Sequence, residues 1–226
     1  TSLTHAASNY AKSAGTGGGT DDQIQRLLGR QVAVFGGASG AARSAAAGRV
    51  AIARLGEFFS SIAEVGFAEA IERIGLQHLI GGDRFDVLDE LLTLLTGDGG
   101  DLESQAARDA QCDVLDEYFG TAESWDDMAA LSMTELGLEE LLRDFLARYV
   151  YNRIPAIGER LARIMNPVAA RRADERIIEM IEGYVEIHLP SSALNFDWAG
   201  AEGRDFANEA VADVYRALEA FGDGDL

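Results

Sequence analysis

Apolar residues recur at helical spacing along nearly the whole chain. From Leu138 they fall at Leu141, Leu142, Phe145, Leu146, Tyr149, Val150, Ile154, Ile157, Leu161, Ile164 and Met165. These steps of three and four place them on one stripe of a helix. Pro155 interrupts the stripe. It lacks a backbone N–H and its ring clashes with the preceding turn, so a kink or break is expected there. Helix starts are marked by Thr20 with Gln23, Ser124 with Asp127 and Ser132 with Glu135, by Asp83 before FDVLDELLTLL, and by Asn166-Pro167. Glycines punctuate residues 15–19, 81–82 and 97–100. The pattern predicts helices over 2–12, 21–34, 38–64, 67–76, 84–96, 102–119, 124–131, 133–153, 156–165, 168–188 and 203–221. No alternation of β-branched residues competes with them. The expected fold is all-α, a single irregular multi-helix bundle of about nine to eleven helices. Residues 1–20 are expected as a flexible helix and Gly-rich segment, 21–221 as the helical domain and 222–226 as an acidic tail. The sequence opens at Thr1 rather than Met, and is read as trimmed from a longer N-terminus.

Residues 35–49, FGGASGAARSAAAGR, are almost wholly Gly, Ala and Ser. A phosphate-binding loop of the Walker type needs a lysine after its glycines. The only lysine is Lys12, so that motif is excluded. A dinucleotide fingerprint needs G-x-G-x-x-G between strand and helix, which Gly37-Ala-Ser-Gly40 does not match. Gly36, Gly40, Ser44 and Gly48 recur every fourth residue. On one continuous helix they would form a ridge that lets a second helix approach closely. Each helical glycine costs about 1 kcal/mol relative to alanine, which close packing would offset. Packing is the expectation and direct ligand contact the alternative.

Charge and the remaining chemistry narrow the function. The net charge is −19, which argues against broad nucleic-acid binding because phosphate neutralisation needs a dense basic surface. Residues 83–140 carry 17 acids and two arginines, whereas 143–176 carry eight arginines and four acids. This asymmetry fits internal ion pairing with a solvated acidic face, or docking to a partner. Cys112 is the sole cysteine, so no intramolecular disulfide forms. His5, His78 and His188 lie far apart without metal-ligand spacing. No Gly-x-Ser-x-Gly elbow occurs. Asp98, Asp101 and Glu103 around Gly99-Gly100 fail the calcium-loop pattern and read as a turn and helix start. No apolar run reaches membrane-spanning length and no basic-then-apolar leader opens the sequence given, so a cytoplasmic location is expected. No catalytic constellation, metal or cofactor is expected.

Two segments stand apart. NFDWAGAEG, residues 195–203, sets an aromatic pair, two acids and glycines between helices. Trp198 and Phe196 could plug the bundle while Asp197 caps, or the loop could dock a partner through aromatic anchors. SLTHAASNYAKSAGTGGGT, residues 2–20, reads as a frayed linker or as a tether presenting what precedes it to an enzyme.

The segments LTHAASNYAKSAGTGGG, QRLLGR, FGGASGAARSAAAG, LEELLRDFLARYVYNRI and FDWAGAEGRDF occur in that order over most of the chain. In this they resemble the QatB family of accessory proteins of the bacterial Qat anti-phage defence system. The resemblance implies a cytoplasmic helical protein with no catalytic site of its own. It implies docking on a QueC-like (QatC-type) enzyme of the deazaguanine class, with an ATPase and a TatD-like DNase in the same system, and neither nucleic acid nor membrane as a direct partner. By analogy with such enzymes, the chain would present its N-terminus as acceptor for deazapurine conjugation. A structural adaptor that self-assembles or bridges effectors is the alternative. The family carries a longer Gly/Pro-rich N-terminal segment, so the acceptor residue is not placed in this sequence. The resemblance carries Tyr10, Gly17 and Gly18, and Asp197, Trp198, Gly200, Glu202 and Gly203, as partner-docking residues.

Overall fold

The computed structural model describes residues 2–96, 100–185 and 193–221. His188, Asp98 and the 222–226 tail lie outside the described residues. Among the described residues the fold is all-α. The helices are α1 (Leu3–Gly15), α2 (Asp21–Val34), α3 (Gly37–Arg43), α4 (Ala46–Val65), α5 (Phe67–Arg73), α6 (Arg84–Thr96), α7 (Leu102–Phe119), α8 (Trp125–Ala129), α9 (Glu135–Asn152), α10 (Pro155–Leu161), α11 (Pro167–Glu182) and α12 (Ala201–Glu219). Short 3-10 turns occupy Gln77–Leu79 and Ala193–Asn195.

The boundaries follow local chemistry. Thr20 and Ser124 each form a capping box, with Gln23 and Asp127 respectively, which satisfies two orphan N–H groups at each start. Asn166 caps α11 through its side-chain oxygen, and Pro167 takes the first helical position. Pro155 opens α10 after a break at Arg153–Ile154, as its missing N–H requires. Two expectations are corrected. Ser132 does not pair with Glu135; Thr134 receives the Gly137 N–H instead, at 3.0 Å. The helix expected over 38–64 is two helices, because Ser44 ends α3 and α4 begins at Ala46.

The chain divides into two compact units. The first contains residues 1–46, 147–186 and 209–226. Within it α1 packs on α2, α10 and α11, and α2 packs on α3. Ile24, Leu27 and Leu28 of α2, Tyr149 of α9 and Ile177 of α11 are core residues. Arg153 stands on the same stripe as Tyr149 and Val150 and is only 7% exposed. Its Nη1 donates to Ala41 O at 3.2 Å and to Tyr215 Oη at 2.5 Å. Its Nη2 donates to Ser44 O at 3.2 Å and to Ser44 Oγ at 2.7 Å. The guanidinium also lies 4.4 Å from the Phe35 ring centroid. Carbonyl dipoles and ring faces thus surround the buried charge, and one side chain joins three segments distant in sequence.

The second unit contains residues 47–146 and 187–208. Its core includes an aromatic cluster of Phe58, Phe59, Phe67 and Phe119. Val87, Leu91 and Leu95 form the buried stripe of α6, which packs on α7. Each large apolar side chain buried this way contributes about 1.5–3 kcal/mol.

Arg153→Leu keeps the apolar stem and removes the guanidinium's bonds to Ala41 O, Ser44 O, Ser44 Oγ and Tyr215 Oη, while Ala41 O keeps its bond from Ser44 Oγ. The expected cost is about 3 kcal/mol in urea unfolding followed by circular dichroism. A loss below about 0.5 kcal/mol, within the range of ordinary surface changes, would contradict the role assigned to Arg153.

Candidate functional site

The small-residue stretch is occupied by the protein's own charges. Gly36 and Gly37 both have φ of +83°, a left-handed turn that glycine adopts without strain. The α3 cap, Gly36, has no side chain to offer. Glu219 supplies one from α12: Ala38 N–H donates to its Oε1 at 2.9 Å. A Cβ on Gly37 would lie 2.6 Å from that oxygen. In the second unit Glu103 of α7 takes the N-terminus of α4, with Ala47 N–H on Oε2 at 2.9 Å and Gly48 N–H on Oε1 at 3.1 Å. Carboxylates here fill the positions where a phosphate would bind a helix N-terminus. The expected continuous ridge is corrected as well. Gly36 lies in the turn before α3, Ser44 ends α3, and Gly48 belongs to α4. A Cβ on Gly36 would meet nothing within 4 Å.

Tyr10, Gly17 and Gly18 come together in the first unit. Tyr10 is 1% exposed and its hydroxyl donates to Ala173 O at 2.9 Å. Burial pushes its pKa from the usual 10.0 up to about 12, against the opposing pull of Arg176. Gly17, with φ of +79°, ends α1 in a Schellman closure. The Gly18 N–H reaches Ser13 O at 2.8 Å and the Gly17 N–H reaches Ala14 O at 3.0 Å. Arg176 then clamps the glycine run by donating to Gly19 O and to Asp21, both at 2.5 Å. Tyr10, Gly17, Gly19 and Arg176 border a cavity of about 450 Å³ whose wall also includes Asn166, Val168 and Arg172.

The closing motif assembles in the second unit. Trp198 is 2% exposed, and its Nε1 donates to Ala193 O at 2.9 Å. Its ring lies edge-on to Phe196 and Phe206 and presses on α4 at Gly56, where a Cβ would come within 2.3 Å. Asp197 Oδ1 accepts the Gly200 N–H at 2.9 Å, and its carbonyl accepts the Gly203 N–H at 3.0 Å. Added Cβ atoms would lie 1.8 Å from Asp197 Oδ2 at Gly200 and 2.1 Å from Trp198 O at Gly203. Asp197 and Glu202 are exposed. Trp198 therefore acts as a plug, and Asp197 shapes the turn. A cavity of about 420 Å³ beside Trp198 is bordered by Ser60, Glu64, Arg73 and Phe196.

The polar groups that sequence reasoning weighed for chemistry are otherwise engaged or isolated. Asp101 caps α7, and hydrogen bonding to Ser104 holds its carboxyl below the usual range. The Cys112 thiol is pushed up by desolvation and then by Asp116, Asp113 and Asp109, which disfavours the nucleophilic thiolate. His5 and His78 are exposed, and no group of three His, Cys, Asp or Glu is placed to hold a metal among the described residues. Arg153, Gly56, Glu219 and the capping role of Glu103 were missed in the sequence. The one local signal was a charged Arg153 on an apolar stripe.

These features define an all-helical protein whose conspicuous polar side chains close its own backbone. The family model for the Qat anti-phage system associated protein QatB matches residues 36–218, and the chain belongs to that family. No curated protein and no solved structure matches the chain. No helix among the described residues is long and apolar enough to cross a membrane.

The raised Tyr10 pKa gives a pH test with a definite sign. The neutral phenol is favoured in the folded state. Its contribution is complete below the unfolded pKa near 10 and is lost as pH rises through about 12. Tyr10→Phe should lose about 1 kcal/mol at pH 7, and its stability should fall less steeply than wild type between pH 10 and 12. Identical alkaline slopes in urea unfolding would contradict this assignment.

Proposed function

We propose that this chain is a non-enzymatic, cytoplasmic component of the Qat defence system. It docks on a QueC-like (QatC-type) enzyme and presents its N-terminal segment as acceptor for deazapurine conjugation. An ATPase and a TatD-like DNase of the same system are its further partners. Membership of the QatB family supports the defence setting. The observation that carries the non-catalytic reading is the commitment of Glu219, Glu103, Tyr10 and Asp197 to backbone groups of their own chain. A general base or nucleophile needs a free, activated group within reach of its substrate.

The docking residues divide by exposure. Gly17, Gly18, Asp197 and Glu202 are exposed and offer partner contacts, whereas Tyr10 and Trp198 are buried and hold the segments that carry them. Ser2, Thr4 and His5 at the start of α1 are exposed while Tyr10 anchors the helix. This arrangement suits a fixed helix that presents whatever precedes it.

Co-expression of the full-length chain with the QueC-like enzyme, followed by size-exclusion chromatography and intact-mass analysis, tests the reading. Co-elution and a deazapurine-sized mass increase on the N-terminal peptide are expected. Separate elution of two folded proteins, with no adduct, would overturn it.

A further inference from the structure

Helix α11 opens from a segment of unusual charge. Residues 160–172, RLARIMNPVAARR, hold four arginines and no acid in a chain of net charge −19. Arg160, Arg163, Arg171 and Arg172 form no ion pair among the described residues. Two apolar side chains stand among them in solvent: Met165 is 98% exposed and Val168 57%. Val168 and Arg172 also border the 450 Å³ cavity beside Tyr10. An apolar anchor point rimmed by unpaired arginines has the composition of a protein-docking surface. A nucleic-acid backbone would have no use for the apolar part.

The complementary face is on the same chain. Val87, Leu91 and Leu95 bury one side of α6. The other side exposes Asp86, Asp89 and Glu90 between Phe85, 71% exposed, and Leu94, 41% exposed. None of these three acids has an ion-pair partner among the described residues. The spacings agree. Phe85 precedes Asp89 by one helical turn, and Val168 precedes Arg172 by the same turn, a rise of about 6 Å in each helix. With the two helices parallel and Phe85 level with Val168, Asp89 comes level with Arg172 and Glu90 lies one residue beyond it.

We propose that the surface at the start of α11 formed by Met165, Val168, Arg171 and Arg172 docks the acidic α6 face of a second copy of this chain. The inference goes beyond the proposed function and does not depend on it. Donor and acceptor faces are different surfaces, so the contact is heterologous; it closes into a ring or extends as a chain. The net charge of both copies opposes association at long range. At physiological salt the screening length is about 8 Å, so the local complementary pairs prevail.

Sedimentation equilibrium of the isolated chain at physiological salt, up to about 200 μM, reads the contact. Arg171→Glu/Arg172→Glu and Asp86→Arg/Asp89→Arg alter exposed positions, and circular dichroism checks that both variants fold. Wild type is expected to associate, each variant alone to associate at least about tenfold more weakly, and their equimolar mixture to recover association. A wild type that stays monomeric throughout overturns the proposal. So does association that either charge reversal leaves unchanged, or a mixture that fails to recover. A monomeric wild type whose Arg171→Glu/Arg172→Glu variant alone loses co-elution with the QueC-like enzyme would assign the face to that enzyme, and overturn the second copy as its occupant.

Discussion

A stretch of chain with few polar side chains of its own leaves much of its helix ends to be closed from elsewhere, although Ser44 Oγ donates to Ala41 O at 3.0 Å. Residues 36–48 must end one helix and begin another, yet they contain Gly, Ala and Ser with a single arginine. Orphan N–H and C=O groups at such ends are costly when buried without partners. Charged side chains from elsewhere solve the problem. In the first unit Glu219 takes the N–H of Ala38, and Arg153 takes the carbonyls of Ala41 and Ser44. In the second unit Glu103 takes the N–H groups of Ala47 and Gly48. Each charge matches the end it serves: carboxylates meet positive N-termini, and the guanidinium meets the carbonyl end.

This constraint also bears on function. Two helix starts that superficially suit an anion already hold carboxylates, so the glycine richness serves close approach of the protein's own groups. The same economy recurs at Gly56, where the missing Cβ admits the Trp198 ring, and at Gly203, where it admits the Trp198 carbonyl. The setting that the QatB family gives this fold is the Qat anti-phage system.

The helices were legible where the signal is local. The Thr20 and Ser124 capping boxes, the Asn166-Pro167 start and the Pro155 break each depend on residues within a turn of one another. The break at Ser44 was not legible, because Gly, Ala and Ser fit a helix or a turn there and the deciding partner is Arg153, 109 residues away. The Glu219 and Glu103 caps were hidden for the same reason, at separations of 181 and 56 residues. In the candidate site, the aromatic and glycine content marked residues 195–203 as a built turn. Burial of Trp198 depends on α4, whose Gly56 leaves room for its ring and carried no signal in the sequence. Sequence pattern sees periodicity and turns; it does not see which distant carboxylate an exposed amide meets.

Amide hydrogen exchange by NMR at Ala38, Ala47 and Gly48 tests the borrowed closure most directly, with wild type compared against Glu219→Ala and Glu103→Ala. Exchange at least about tenfold faster is expected at Ala38 in the first variant only, and at Ala47 and Gly48 in the second only. Inorganic phosphate is expected to leave the wild-type rates unchanged. Unaltered rates in both variants, or protection of these amides by phosphate in wild type, would contradict the borrowed closure.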